Sequence, residues 1–178
     1  TLPTTTQIYK VTATSPASGG LDVLTGEPSK EGESISTILK IDDTKFYASQ
    51  LSSLFVASLK NESVLDVTKY ETLKQEFEEK LGIYDENGEG FNTNPYDITI
   101  NPSYANNLSV LEISLSALVS GLSTVFDDNF VDKSEILNAI YDKISTFTSE
   151  SPITISTLSD KSNFIDPIIE NIGSGNEY

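Results

Sequence analysis

The sequence predicts a mainly α fold: a helical bundle of four to five helices around a central apolar helix, preceded by an N-terminal β-type segment of one to three short strands. Three features carry this. Leu108, Leu111, Leu115, Leu118, Leu122 and Val125 recur at steps of three and four, with Val119 and Phe126 widening the stripe, as on a core-facing helix. Other stretches repeat that period behind capping signals. The first forty residues are instead rich in Thr, Ser, Gly and Pro, and within them the pattern alternates every second residue.

Taken in order, Gln7 to Ala13 reads as a half-buried strand with Tyr9, Val11 and Ala13 on one side. Gly19-Gly20 and the stretch from Gly26 to Gly32 read as turns bracketing a second extended piece, Leu21 to Leu24. A flexible tether is the rival reading of this region. A helix capped by Asp42 or Asp43 is expected to run to about Lys60, with Tyr47, Leu51, Leu54, Phe55 and Leu59 on one face. Thr68 to Glu71 has capping-box spacing and opens a second helix, with Tyr70, Leu73, Phe77 and Leu81 inward and Gly82 as its left-handed stop. On it, Glu76, Glu78 and Glu79 are expected to form a solvated acidic surface.

Residues 83–100 form the longest polar connection. Asn101-Pro102 supplies a cap and a first-turn proline for the central helix. Its far side is serine: Ser109, Ser116, Ser120, Ser123 and Thr124. A membrane span is the alternative for so apolar a stretch, but Glu112 and the hydroxyls would be costly in lipid. Asp132 to Glu135 is a further box-like cap, for a helix to about Phe147 carrying Ile136, Leu137, Ile140 and Ile144. After Pro152, Ile153 to Ile155 reads as either a short strand or an extended packing segment. A last helix at about Ser162 to Ile172 carries Pro167, in its first turn or bending it. The division expected is 1–40 as the β-type segment, 41–172 as the helical domain and 173–178 as a tail.

Composition narrows the function. There are 27 acidic residues against 11 lysines, a net charge of −16. Such a surface repels phosphate backbones, so nucleic acid is not an expected partner. Cys, His, Met, Trp and Arg are all missing. That removes the thiol nucleophile, the near-neutral acid-base group, soft metal ligands and the bidentate anion clamp. Thr1 stands where an initiator Met would, which reads as processing, trimming or excision, and no signal peptide or membrane span is legible.

Gly19, Gly20, Thr25, Gly26, Glu27 and Pro28, followed by Ser36-Thr37-Ile38-Leu39 and then Lys80-Leu81-Gly82-Ile83, carry a resemblance over roughly residues 12–147. This order resembles the helical unit that follows Ig-like or carboxypeptidase-regulatory-like β-domains in large bacterial surface proteins and adhesins. There the Ser36 to Leu39 stretch corresponds to the start of a helix. The resemblance implies a non-catalytic scaffold or interaction role on the cell surface and supplies no site residues.

One constellation suggests a cation. In Asp85-Glu86-Asn87-Gly88-Glu89-Gly90, oxygen ligands alternate and glycine stands sixth, as the first half of an EF-hand-like loop requires. Position twelve is Tyr96 and the carboxylate Asp97 comes one residue late, so the candidate calcium ligands are Asp85, Asn87, Glu89 and Asp97, against a plain acidic turn. Asp127, Asp128, Asn129 and Asp132 form a second oxygen-rich turn, read as helix capping. No G-x-S-x-G elbow occurs and no His could activate a serine, so no enzyme is expected. Asn61 and Asn107 stand in glycan-acceptor triplets.

The leading expectation is a non-enzymatic extracellular structural or interaction module of a bacterial cell-surface protein, with other protein subunits or neighbouring domains as partners. Two alternatives stand beside it: a filament subunit joined by donation of Gln7 to Ala13 to a neighbour's sheet edge, and a calcium-dependent binding module.

Overall fold

The structure, a computed structural model, describes residues 8–16, 18, 20–21, 28–29, 33–40, 47–62, 66–84, 90–91, 102–126 and 131–175. It is mainly helical with short N-terminal strands, as the sequence predicts. Strands β1 (Ile8–Thr14) and β4 (Ser34–Lys40) form one antiparallel pair, and β2 (Gly20–Leu21) and β3 (Pro28–Ser29) form another between them. The helices are α1 (Gln50–Ser58), α2 (Val67–Lys80), α3 (Pro102–Phe126), α4 (Lys133–Ile144), α5 (Ile155–Leu158) and α6 (Asp166–Gly175), the last entered through a π-helical turn at Lys161–Ile165.

Residues 36–39, which the resemblance places at a helix start, are extended in β4. Ser-Ile-Ser-Thr-Ile-Leu is β-branched and alternating, and β1 lies in register beside it from Ile8↔Lys40 to Thr14↔Ser34. The cap of α1 is Ser49, whose hydroxyl accepts from the Ser52 amide, while the Ser52 hydroxyl accepts from the Ser49 amide. Asp42 and Asp43 lie outside the described residues. For α2 the cap is Asp66, accepting from the Lys69 amide at 2.8 Å, two residues before the expected Thr68. A carboxylate at this position also meets the positive end of the helix dipole. Asp132 caps α4 as expected, through the Ser134 amide. Gly82 stops α2 with φ 65°, and Pro167 falls in the first turn of α6. Residues 153–155 do not form a strand: Thr154 caps α5, and the Ile153 amide donates to the Lys80 carbonyl at 2.8 Å, tying this segment to the end of α2.

The buried side chains form one cluster that includes the strand residues Ile8 and Ile38 and spans every longer helix. Helix α1 lies at its centre, touching β4, α3 and α4. Leu51 and Leu54 are fully buried, and the Phe55 ring meets Tyr70, Phe77 and Phe91 with centroids 4.9–5.8 Å apart in tilted or edge-on geometry. On α3 the stripe holds for Leu108, Leu111, Leu115, Val119, Leu122 and Phe126. Two positions depart from expectation. Val125 is 57% exposed, and Ser116 is buried with no hydrogen-bond partner for its hydroxyl among the described residues. The buried face turns slightly with the 3.6-residue period and takes in Glu112 and Ser116, one turn apart.

Candidate functional site

The proposed calcium ligands Asp85, Asn87, Glu89 and Asp97 lie outside the described residues, as do Asp127, Asp128 and Asn129. Among the described residues no group of three or more acidic side chains is placed to hold a metal ion. Asp132 is engaged as a helix cap.

The most concentrated polar chemistry lies where β4, α1 and α3 meet. The Glu112 carboxyl group, only 2% exposed, faces the N-terminus of α1, 62 residues away in the chain. One oxygen accepts the Gln50 amide at 2.8 Å. The other accepts the Ser49 hydroxyl at 3.0 Å, and the Leu51 amide spans both at 3.2 and 3.4 Å. Helix N-termini present amides with no internal partner, and an acidic group there satisfies them and complements the dipole. On the other side, the Ser52 hydroxyl donates to the Ser36 carbonyl at 2.7 Å and the Ser36 amide donates to the Ser53 hydroxyl at 2.8 Å. Two serines of α1 thus bond the outward amide and carbonyl of Ser36 in β4.

A buried serine against a carboxylate invites comparison with a nucleophile and its base. Here the Ser49 hydroxyl donates to Glu112 and accepts from the Ser52 amide, so its bonding is consumed by the cap. Ser49 is itself buried at 6% exposure. The arrangement joins a sheet, a helix start and the central helix.

A second buried carboxyl corrects the sequence reading. Glu78, expected in solvent, is 3% exposed, while Glu76 is exposed as expected. Its Oε1 accepts the Phe91 amide at 2.9 Å and pairs with the Lys74 ammonium at 3.1 Å. Burial pushes the Glu78 carboxyl above its ordinary range, partly offset by Lys74 and the Phe91 amide. A Cβ on Gly90 would overlap the Lys74 ammonium. Chain returning at Gly90 and Phe91 therefore covers a residue that helix periodicity alone turns outward.

The accessible feature is the outer edge of β1. The Ser15 amide donates to the Glu33 carbonyl at 2.7 Å, continuing the strand register by one step. The hydrogen-bonded pairs with β4 are therefore those of Tyr9, Val11 and Ala13, and the main-chain groups of Lys10, Thr12 and Thr14 point away from β4. The side chains of these three are exposed. Among the described residues no hydrogen bond reaches those outward groups. Beside the Ile8 end lies an open groove of about 350 Å³, with Ile8, Ile38, Val56 and Leu59 on its walls and Lys10 and Lys60 at its margin. Lys60 is held by Asp142 at 3.0 Å.

No family model, curated protein or solved structure matches this chain.

Proposed function

We propose that this chain is a non-enzymatic extracellular structural or interaction module of a bacterial cell-surface protein, meeting other protein subunits or neighbouring domains through the outer edge of β1. The observation that carries the interaction reading is that edge: a regular seven-residue strand whose outward amides and carbonyls are unpaired among the described residues. Exposed edges template the addition of another strand. Support for the surface location comes from the resemblance to adhesin modules. Protease treatment of intact source cells should remove the chain while a cytoplasmic marker survives; survival of both sinks the surface reading.

A filament built by strand exchange is the second reading, favoured by the shallow seating of β1. Of its seven residues only Ile8 is buried. An identical strand from a neighbour could take the same place beside β4 at small cost to the core. Negative-stain electron microscopy of the native protein and of a version lacking residues 1–14 separates the two. Fibres lost on truncation establish exchange, whereas discrete particles in both samples leave the module reading.

A further inference from the structure

We propose that the occupant of the β1 edge is a second copy of this chain, joined β1 to β1 antiparallel with Thr12 opposite Thr12. The inference rests on the edge reading above and names its partner.

The sheet has two edges, and α1 packs against that of β4. The Ser36 amide and carbonyl on the outer side of β4 are occupied by the Ser53 and Ser52 hydroxyls, and Ser36 also bridges to Ser49. Helix α1 therefore stands against the middle of the β4 edge, whereas the outward groups of Lys10, Thr12 and Thr14 form an uncovered run on β1 among the described residues. Because each copy presents the same edge, pairing is isologous and stops at two, giving a four-stranded sheet of β4, β1, β1 and β4. Growth beyond the dimer would require β1 to leave its own chain.

Charge favours this face for self-association. Two molecules of net charge −16 repel, yet β1 and β4 contain no carboxylate. The devices that normally blunt an edge are sparse: β1 has no proline, its register with β4 runs unbroken, and it carries a single lysine, Lys10. That lysine sets the register. With Thr12 opposite Thr12, Lys10 faces Thr14 of the other copy, and the two lysines lie four strand steps apart, roughly 13 Å. Like charges directly opposite are avoided, and the Thr–Thr pair occupies the centre. The outward groups of Lys10, Thr12 and Thr14 then exchange about six main-chain hydrogen bonds.

The test uses position 14, whose side chain is exposed and makes no hydrogen bond among the described residues. Sedimentation equilibrium at about 0.15 M salt, where the repulsion between the two acidic molecules is screened, should show a dimer. Thr14→Glu places a carboxylate opposite Lys10 of the other copy at both ends and should tighten the dimer roughly three- to tenfold; Thr14→Lys should weaken it similarly. Net charge alone predicts the reverse order, because Thr14→Glu makes the molecule more acidic. Thr12→Cys, the only cysteine in the chain, should oxidise to a single covalent dimer, since a hydrogen-bonded pair holds Cα atoms about 5.5 Å apart, within disulfide range. A protein monomeric up to about millimolar concentration, or the reversed order of the two variants, overturns the dimer. The edge reading is tested apart from this. Hydrogen exchange at the Lys10, Thr12 and Thr14 amides in surface-associated material reports whether any partner pairs there, and unprotected amides sink it.

Discussion

Removing the Glu112 carboxyl should destabilise the protein more than its position on an apolar helix suggests. Glu112→Ala leaves the Gln50 and Leu51 amides and the Ser49 hydroxyl without their acceptor. Each buried donor left unsatisfied costs about 1–3 kcal/mol. Three such donors give an upper range near 9 kcal/mol, but local relaxation and water entering the vacated space reduce it, so about 3–5 kcal/mol is expected. At about 2–4 °C per kcal/mol for a chain of this size, Tm falls by roughly 6–20 °C. Glu112→Gln keeps one acceptor oxygen and turns an amide donor toward other donors, for a smaller loss of about 1–3 kcal/mol. Urea denaturation with linear extrapolation reads both, and Glu76→Gln on the exposed face of α2 should stay within about 0.5 kcal/mol of the parent. If Glu112→Ala also falls within about 1 kcal/mol of the parent, the carboxyl is not the acceptor that stabilises the start of α1.

Three further outcomes follow from particular contacts. Burial raises the Glu78 carboxyl in the folded state, so the folded protein holds that proton more tightly than the unfolded chain; from this group stability rises as pH falls through the folded value toward the unfolded 4.5. Between pH 7 and 4.5 the parent should therefore gain urea stability relative to Glu78→Gln, and the opposite trend refutes the burial account. Gly82→Ala forces a Cβ onto a φ of 65° and sets it 3.4 Å from Pro152, for a loss of about 1–2 kcal/mol by thermal denaturation. Calcium held by Asp85, Asn87, Glu89 and Asp97 would raise Tm, with about 2.7 kcal/mol of added stability at a hundredfold excess over Kd. If a chelator leaves Tm unchanged, the calcium reading is finished.

The legible parts of this fold share a length scale. Asp132, Gly82, Pro102 and Pro167 act within one helical turn of themselves, and each stands where its local chemistry puts it. The stripe from Leu108 to Phe126 is a repeat inside one element, so the central helix is visible without a tertiary contact. Errors begin where two candidates compete locally. Thr68 and Asp66 both offer a cap to α2, and Asp66 takes it. Residues 34–40 fall within the β-type segment expected over 1–40, and β4 gains its ladder from β1 on one side while serine hydroxyls of α1 bond Ser36 on the other.

A mainly helical chain with a β-type start, a strongly acidic character and the lack of thiol, imidazole and guanidinium chemistry all follow from residue order and content alone. Those properties depend on composition and on periods of two and 3.6 residues, both of which survive in one dimension. Packing between distant segments, by contrast, decides that Glu112 caps a helix 62 residues away, that Glu78 is covered by Phe91, and that serines of α1 bond Ser36 on the outer side of β4 while, among the described residues, the outward groups of β1 stay unpaired. A carboxyl on a helix carries no mark of which backbone will arrive to meet it, because the donors come from residues distant in sequence whose approach is set by packing of the whole core.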